Sequence, residues 1–94
     1  MLKTLMFVLI VGITGPVLGS TTVYTQNGCG PCHELLSYLN KNHINYQECN
    51  VTKSAQCMQD MVKHGWTMTP VTVVNGTVVM GPNGPKIKEL VDRK

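Results

Sequence analysis

Hydrophobic positions recur along the chain with two different spacings, and each spacing predicts a different kind of element. From Thr21 to Gln26 the sequence is rich in threonine, valine and tyrosine, which predicts a strand. Pro31 suits the first turn of a helix, where its missing N–H leaves no hydrogen bond unmade. We expect this helix to end near Asn42. The apolar residues within it share one helical face: Leu35, Leu36 and Leu39.

A second strand and a second helix are predicted in the middle of the chain. Ile44 to Val51 contains apolar residues in partial alternation, which predicts the strand. Ser54 is a suitable N-cap for the helix, and Gly65 is a suitable C-terminal stop. The predicted helix carries one apolar stripe, formed by Cys57, Met58, Met61 and Val62.

The last third of the chain predicts a hairpin and a third helix. Val71 to Val74 consists of β-branched residues, Asn75-Gly76 is typical of a two-residue hairpin turn, and Thr77 to Met80 is the partner strand. After a loop, Pro85 opens the helix. The apolar face of this helix is formed by Ile87, Leu90 and Val91.

The elements therefore follow the order βαβ and then αββα. The first unit predicts two parallel strands joined by a right-handed crossover, and the hairpin adds two antiparallel strands. The predicted fold class is α/β, with one four-stranded mixed sheet and three flanking helices.

The first 19 residues differ in composition from the rest. Lys3 is followed by an almost wholly apolar stretch, and small or aliphatic residues precede Gly19. This order predicts a secretory signal peptide that is cleaved after Gly19, leaving residues 20–94 as one exported domain, periplasmic or secreted. The alternative is an uncleaved membrane anchor formed by residues 2–18, although that stretch is short for a span.

Charge and composition exclude some classes of function. The 94-residue chain has a formal net charge of +3, which becomes +2 when Lys3 is removed with the leader. This charge is too small to predict binding to nucleic acid or to an anionic membrane. With only five aromatic residues, one of them in the leader, no surface for base stacking is predicted. We expect a monomer.

Candidate chemistry lies in the run Cys29-Gly30-Pro31-Cys32, between a predicted strand and a predicted helix. A helix N-terminus stabilises a thiolate, which is the form of cysteine that attacks a disulfide. Cys29, at the start of the helix, is predicted to be the exposed nucleophile. Cys32, one turn further, is predicted to resolve the mixed disulfide. Gly30 lets the two sulfurs approach, and Pro31 stiffens the turn.

Three other interpretations of this run are possible. A purely structural disulfide is disfavoured because so tight a ring is usually reducible. Half of a zinc site is disfavoured because the spacing of Cys49 and Cys57 does not match a second zinc knuckle, so no metal site is predicted. Attachment of a c-type haem fits the five residues from Cys29 to His33, with a methionine as axial ligand. Four predicted strands argue against haem.

The remaining cysteines are Cys49, in the second predicted strand, and Cys57, on the apolar face of the second helix. Four cysteines allow three pairings, among which sequence alone does not choose. Two buried free thiols would be inert. In an oxidising compartment we favour a structural Cys49–Cys57 disulfide, which would stabilise a small core.

The chain resembles the glutaredoxin and thioredoxin-like superfamily over residues 20–92. The resemblance rests on the first strand, on the Cys29–Cys32 motif, on Met68-Thr69-Pro70-Val71 and on Gly81 before the last helix. Within this superfamily the chain resembles small redoxins with a glutaredoxin fold and thioredoxin-like activity. The resemblance implies a thioredoxin-like fold of glutaredoxin type. It also implies that Pro70 is a cis-proline facing the cysteines and that the Thr69 backbone pairs with an extended substrate. The implied substrate-binding residues are Gly30, Pro31, Thr69 and Pro70.

Together with the predicted leader, the resemblance predicts an exported thiol–disulfide oxidoreductase that acts on protein disulfides or dithiols, as a reductant, with an unidentified electron donor. No cofactor is expected beyond the redox-active disulfide. Glutathione is not expected, because Gln26 replaces a lysine and Gly81-Pro82-Asn83 lacks the second glycine and the carboxylate of glutathione-binding relatives. The alternative function is a non-catalytic interaction domain of redoxin fold, stapled by disulfides.

Overall fold

A computed structural model of the protein describes residues 20–93. The predicted leader and its alternative as an anchor lie outside these residues. Between residues 20 and 93, no helix is long and apolar enough to cross a membrane. The described elements are β1 (Thr21–Thr25), α1 (Gly30–Lys41), β2 (Gln47–Asn50), α2 (Ala55–His64), β3 (Val71–Val74), β4 (Thr77–Met80) and α3 (Gly84–Asp92).

The four strands form one mixed sheet in the order β2-β1-β3-β4. β1 runs parallel to β2 and antiparallel to β3, and β3 and β4 form the hairpin. In this register Tyr24 lies beside Cys49 on one side and Val71 on the other. The predicted fold class is thereby confirmed.

The second strand is shorter than predicted, because Ile44 belongs to the exit of α1 instead. His43 has a positive φ of 56°, and the N–H of Ile44 donates to the carbonyl of Leu39 at 2.9 Å. The turn buries Ile44 in the core, where it packs with Leu39. The ladder with β1 therefore begins only at Gln47.

The core has two parts, one on each face of the sheet, because successive strand residues point to opposite faces. The larger part lies under α1 and α3, and the smaller part contains the buried residues of α2. The larger part comprises Val23, Leu35, Leu39, Ile44, Val74, Val79 and Ile87. The smaller part comprises Tyr24, Val51, Cys57, Met61 and Val71.

The predicted apolar stripe of α2 is wrong at two of its four positions. Cys57 and Met61, one helical turn apart, are buried, whereas Met58 is 45% exposed and Val62 is 69% exposed. A helix that touches a small sheet along one narrow line buries only the residues on that line. α2 therefore presents two apolar side chains to solvent.

Gly84, the first residue of α3, is packed against the ring of Tyr38 in α1. A Cβ atom built on Gly84 would lie 2.7 Å from Cγ and 2.8 Å from Cε1 of that ring. Because Tyr38 is itself half-buried against the core, we expect Gly84→Ala to lower the free energy of unfolding by about 1–3 kcal/mol. Urea denaturation measures the loss. The matched control is Gly30→Ala, since a Cβ on Gly30 meets no atom within 4 Å.

Candidate active site

The candidate site lies where β1 ends and α1 begins. Asn27 and Gly28 turn the chain, and Gly28 has a positive φ of 76°. Cys29 is the N-cap of α1, and its Sγ accepts a hydrogen bond from the backbone N–H of Cys32 at 3.1 Å. Pro31 lies in the first turn. The sulfur of Cys29 therefore lies at the positive end of the helix dipole, where a negative charge is stabilised.

Cys29 and Cys32 form a disulfide, with their Cα atoms 5.2 Å apart. In this oxidised state Cys29 is 7% exposed and Cys32 is 3% exposed. The sequence predicts an exposed Cys29, whereas the structure shows both cysteines covered, with Cys29 the less covered of the two. The residues on either side of each cysteine, Gly28, Gly30, Pro31 and His33, are exposed.

Thr69 and Pro70 approach the disulfide from the loop before β3. The Thr69 hydroxyl donates a hydrogen bond to Sγ of Cys29 at 3.5 Å. The Thr69–Pro70 peptide bond is cis, Pro70 is fully buried, and its carbonyl accepts the N–H of Gly81 at 2.9 Å. The fold thus brings Thr69, 40 residues away in sequence, against the candidate nucleophile.

A carboxylate that the sequence did not single out lies on the other side of the pair. Glu48 in β2 accepts a hydrogen bond from the Thr25 hydroxyl at 2.6 Å. Glu48, Cys32, His33 and Lys53 all line one open cavity of about 430 Å³. The first strand has no acidic residue, but the parallel register pairs Glu48 with Val23 and brings its side chain to the face of Thr25. Only the register would have revealed this neighbour.

Hydrogen bonds tie the loop before Cys29 to the turn between β2 and α2. The Asn50 side-chain amide donates to Oδ1 of Asn27 at 3.1 Å, and the Asn27 backbone N–H donates to the Thr52 hydroxyl at 3.0 Å. Oδ1 of Asn50 also accepts the backbone N–H of Thr52 at 2.9 Å. The position of the redox loop therefore depends on β2 as well as on β1.

An open groove of about 150 Å³ lies beside Thr69. We call it the Trp66 groove. Its lining is mixed: the apolar residues are Val51, Met58, Met61, Trp66 and Met68, and the polar ones are Gln26, Thr67 and Thr69. Trp66 both lines the groove and packs against the core, because its ring forms an edge contact with Tyr24, with 5.3 Å between centroids. Trp66 also stacks with His64, with 4.3 Å between centroids.

A second disulfide joins Cys49 of β2 to Cys57 of α2, with their Cα atoms 5.6 Å apart. Cys49 is half-buried and Cys57 is buried. Cys49 lies beside Tyr24 in the register, and Cys57 packs in the same part of the core as Tyr24. The second disulfide therefore lies on the sheet face opposite to that of Thr25 and Glu48.

The surroundings of the buried Tyr24 shift the pKa of its hydroxyl. Burial, the charge of Asp60 and a hydrogen bond to Asp60 together raise the pKa of Tyr24 above its ordinary value of 10.0. Because the folded-state pKa is the higher one, this contribution to stability is fully present below about pH 10 and is lost as the pH rises through the folded-state pKa. The alkaline stability of the protein thus depends on the Tyr24–Asp60 contact.

We expect Asp60→Asn to lower the pKa of Tyr24 and to weaken the fall in stability above about pH 10. The ultraviolet absorbance of tyrosinate, recorded during an alkaline titration, measures the change. Subtracting the curve of Tyr24→Phe isolates Tyr24 from the other tyrosines. A Tyr24 titration that is the same with and without Asp60 would contradict the assignment.

Residues 20–93 contain no group of three or more histidine, cysteine, aspartate or glutamate side chains placed to hold a metal ion. In the disulfide state neither Cys29 nor Cys32 has a free sulfur for a thioether bond to haem, the alternative raised by the run from Cys29 to His33.

Comparison with known proteins agrees with this geometry. The sequence model of the Glutaredoxin family matches residues 21–79. The Gene 56 protein of Mycobacterium phage D29 is 32% identical over 75 residues, which cover 76% of this chain and 81% of that protein.

Solved structures of similar fold support the same grouping. The crystal structure of the thioredoxin-like protein BC3987 has a TM-score of 0.69 and 32% identity, and the match covers 76% of this chain and 99% of that one. NrdH-redoxin from Escherichia coli, described as a glutaredoxin-like protein with a thioredoxin-like activity profile, has a TM-score of 0.68 and 21% identity. That match covers 76% of this chain and 93% of the other; at this identity it supports the fold alone.

Proposed function

The chain belongs to the glutaredoxin family, and from that premise we propose that it reduces disulfides in protein substrates through Cys29 and Cys32. The fold and the disulfide between these residues support thiol–disulfide redox chemistry in general. The observation that carries the specific proposal is the double contact on Sγ of Cys29. The N–H of Cys32 and the hydroxyl of Thr69 both donate to that sulfur.

Both donors favour the thiolate of Cys29 in the reduced protein, because a hydrogen bond to a charged acceptor is stronger than one to a neutral acceptor. The thiolate attacks one sulfur of a substrate disulfide, a mixed disulfide forms, and the other substrate sulfur leaves and takes up a proton. Cys32, as a thiolate, then attacks Sγ of Cys29 and releases the second substrate thiol. Two electrons and two protons pass to the substrate, and an external dithiol must restore the reduced pair.

Cys32 has to lose its proton before it resolves the mixed disulfide. We assign the acceptor role to Glu48, because its carboxylate lines the same open cavity as Cys32 and is held in place by the Thr25 hydroxyl. Water in such a polar cavity can carry the proton between the two groups.

Glu48→Gln keeps the size of the side chain and removes the base. We expect it to slow release of the second substrate thiol by about 10²-fold, at the lower end for a general base. Rapid-quench measurement of the mixed disulfide after a single turnover follows this step. Glu34→Gln, on an exposed position of α1, is the matched control. Equal decay of the mixed disulfide in both variants would remove Glu48 from the mechanism.

The Gly30-Pro31 dipeptide supports the reducing direction, since it is the one that thioredoxin uses. Equilibration with glutathione buffers measures the potential of the Cys29–Cys32 pair, and we expect a value near the −270 mV that is typical of thioredoxin, within about 30 mV. Turnover is tested by insulin reduction driven by dithiothreitol. A potential near about −120 mV would reverse the proposed direction and make the protein an oxidant.

Export and independence from glutathione complete the proposal. Signal-peptide cleavage predicts a mature N-terminus at Ser20, which N-terminal sequencing of the protein recovered from the cell envelope or medium would detect. A retained Met1 would favour the anchor formed by residues 2–18. For the electron donor, we expect insulin reduction to proceed with a dithiol and to fail with glutathione alone. Equal rates with both reductants would show that glutathione is used.

A further inference from the structure

α2 is attached to the sheet by few side chains. Of its ten residues, only Cys57 and Met61 are buried. Ser54 caps its start by accepting the N–H of Cys57 at 3.1 Å, and Gly65 ends it in the left-handed conformation. Between these ends the helix is held by the Met61 side chain, by the contact of Asp60 with Tyr24, by the stacking of His64 on Trp66 and by the Cys49–Cys57 disulfide. The disulfide is the covalent part of this attachment. Because Cys49 is in β2, an edge strand, the disulfide links the helix covalently to the edge of the sheet.

The same helix forms one wall of the Trp66 groove. Met58 and Met61 of α2 line the groove, and the segment from Trp66 to Thr69 lines it as well. Thr69 is also the residue whose hydroxyl contacts Sγ of Cys29. The groove therefore shares Thr69 with the reacting sulfur, and one of its walls belongs to the helix that the second disulfide attaches to β2.

The size and lining of the groove define what it can accept. Its volume is about 150 Å³, and apolar cavities of about that volume admit a molecule the size of benzene. Methionine side chains adapt to differently shaped apolar partners. One aromatic or large aliphatic side chain, carried by a polypeptide whose cysteine reacts at Cys29, fits this description.

We propose that the Cys49–Cys57 disulfide is a positioning element of the active site: it holds α2 so that the Trp66 groove binds an apolar side chain next to the substrate cysteine. The inference rests on the proposed function and adds to it a preference for disulfides flanked by an apolar residue. An electron relay between the two disulfides is not proposed, since they lie on opposite sheet faces and Cys57 packs among Tyr24, Val51 and Met61.

The test compares two substrates, insulin and bis(2-hydroxyethyl) disulfide, which has no side chain to place in the groove. The readout is the ratio of kcat/KM on insulin to kcat/KM on the small disulfide. We expect this ratio to fall about fivefold in the Cys49→Ala/Cys57→Ala double variant, and by a similar factor in Met58→Ala, the loss typical of one apolar contact. The fall should lie mainly in KM for insulin.

Val62→Ala is the control, because Val62 is exposed on the same helix and does not line the groove; its ratio should equal that of the wild type. Met58→Ala added to the double cysteine variant should lower the ratio no further. An unchanged ratio in the folded double variant would show that the disulfide only stabilises the fold and does not position the groove. If that variant does not fold, an unchanged ratio in Met58→Ala overturns the proposal. A wild-type protein inactive on both substrates would instead refute the proposed function.

Discussion

Cys29→Ser is expected to reduce the rate of insulin reduction by at least about 10³-fold, to the level of dithiothreitol alone. A serine hydroxyl at this position remains neutral at physiological pH and cannot attack a disulfide sulfur, although it can still cap α1. The fold should therefore persist while the chemistry is lost. A thermal melt close to that of the reduced wild type would establish that the loss is chemical.

The companion variant is Cys32→Ser, which retains the nucleophile and lacks the resolving thiol. We expect it to accumulate a mixed disulfide between Cys29 and the substrate, visible as a covalent complex by electrophoresis without reductant. Cys29→Ser should form no such complex. If both variants turned over at the wild-type rate, the alternative of a non-catalytic interaction domain would be the better description.

Leu39→Ala is expected to lower the free energy of unfolding by about 2–5 kcal/mol, the range for truncating a fully buried leucine. Leu39 is 0% exposed and packs in the larger part of the core, and its carbonyl also accepts the N–H of Ile44. The loss is large for so small a domain, because typical stabilities are about 5–15 kcal/mol. Urea denaturation of the oxidised protein measures it.

Ser37→Ala is the matched control on the exposed side of the same helix, and a change within about 0.5 kcal/mol is expected there. A loss below about 1 kcal/mol in Leu39→Ala would mean that α1 does not depend on this contact. Because α1 begins at the redox pair, destabilising it should also raise the reactivity of Cys32 toward alkylating reagents in the reduced protein.

The order and kind of all seven elements were predictable from local features of the sequence. Pro31, Ser54, Gly65 and the Asn75-Gly76 turn act within a few residues of their position, and their backbone preferences hold in almost any context. The Cys29–Cys32 pair was predictable for the same reason, since its spacing and its place at a helix start are both local. Strand ends were less predictable: Ile44 was predicted to begin the second strand, but in the structure it belongs to the turn that follows α1.

The surroundings of the redox pair depend on contacts between distant segments of the chain. Only the tertiary structure decided these contacts. The parallel register of β1 and β2 brings Glu48 to Thr25 and to the cavity of Cys32. Periodicity alone places Met58 on the apolar stripe of α2. Because α2 contacts the sheet along a narrow line, Met58 is instead exposed and lines the groove. By itself the sequence determined a redox pair at a helix start, because capping and turn preferences are local. What lies around that pair follows from register and packing, which depend on residues far apart in the chain.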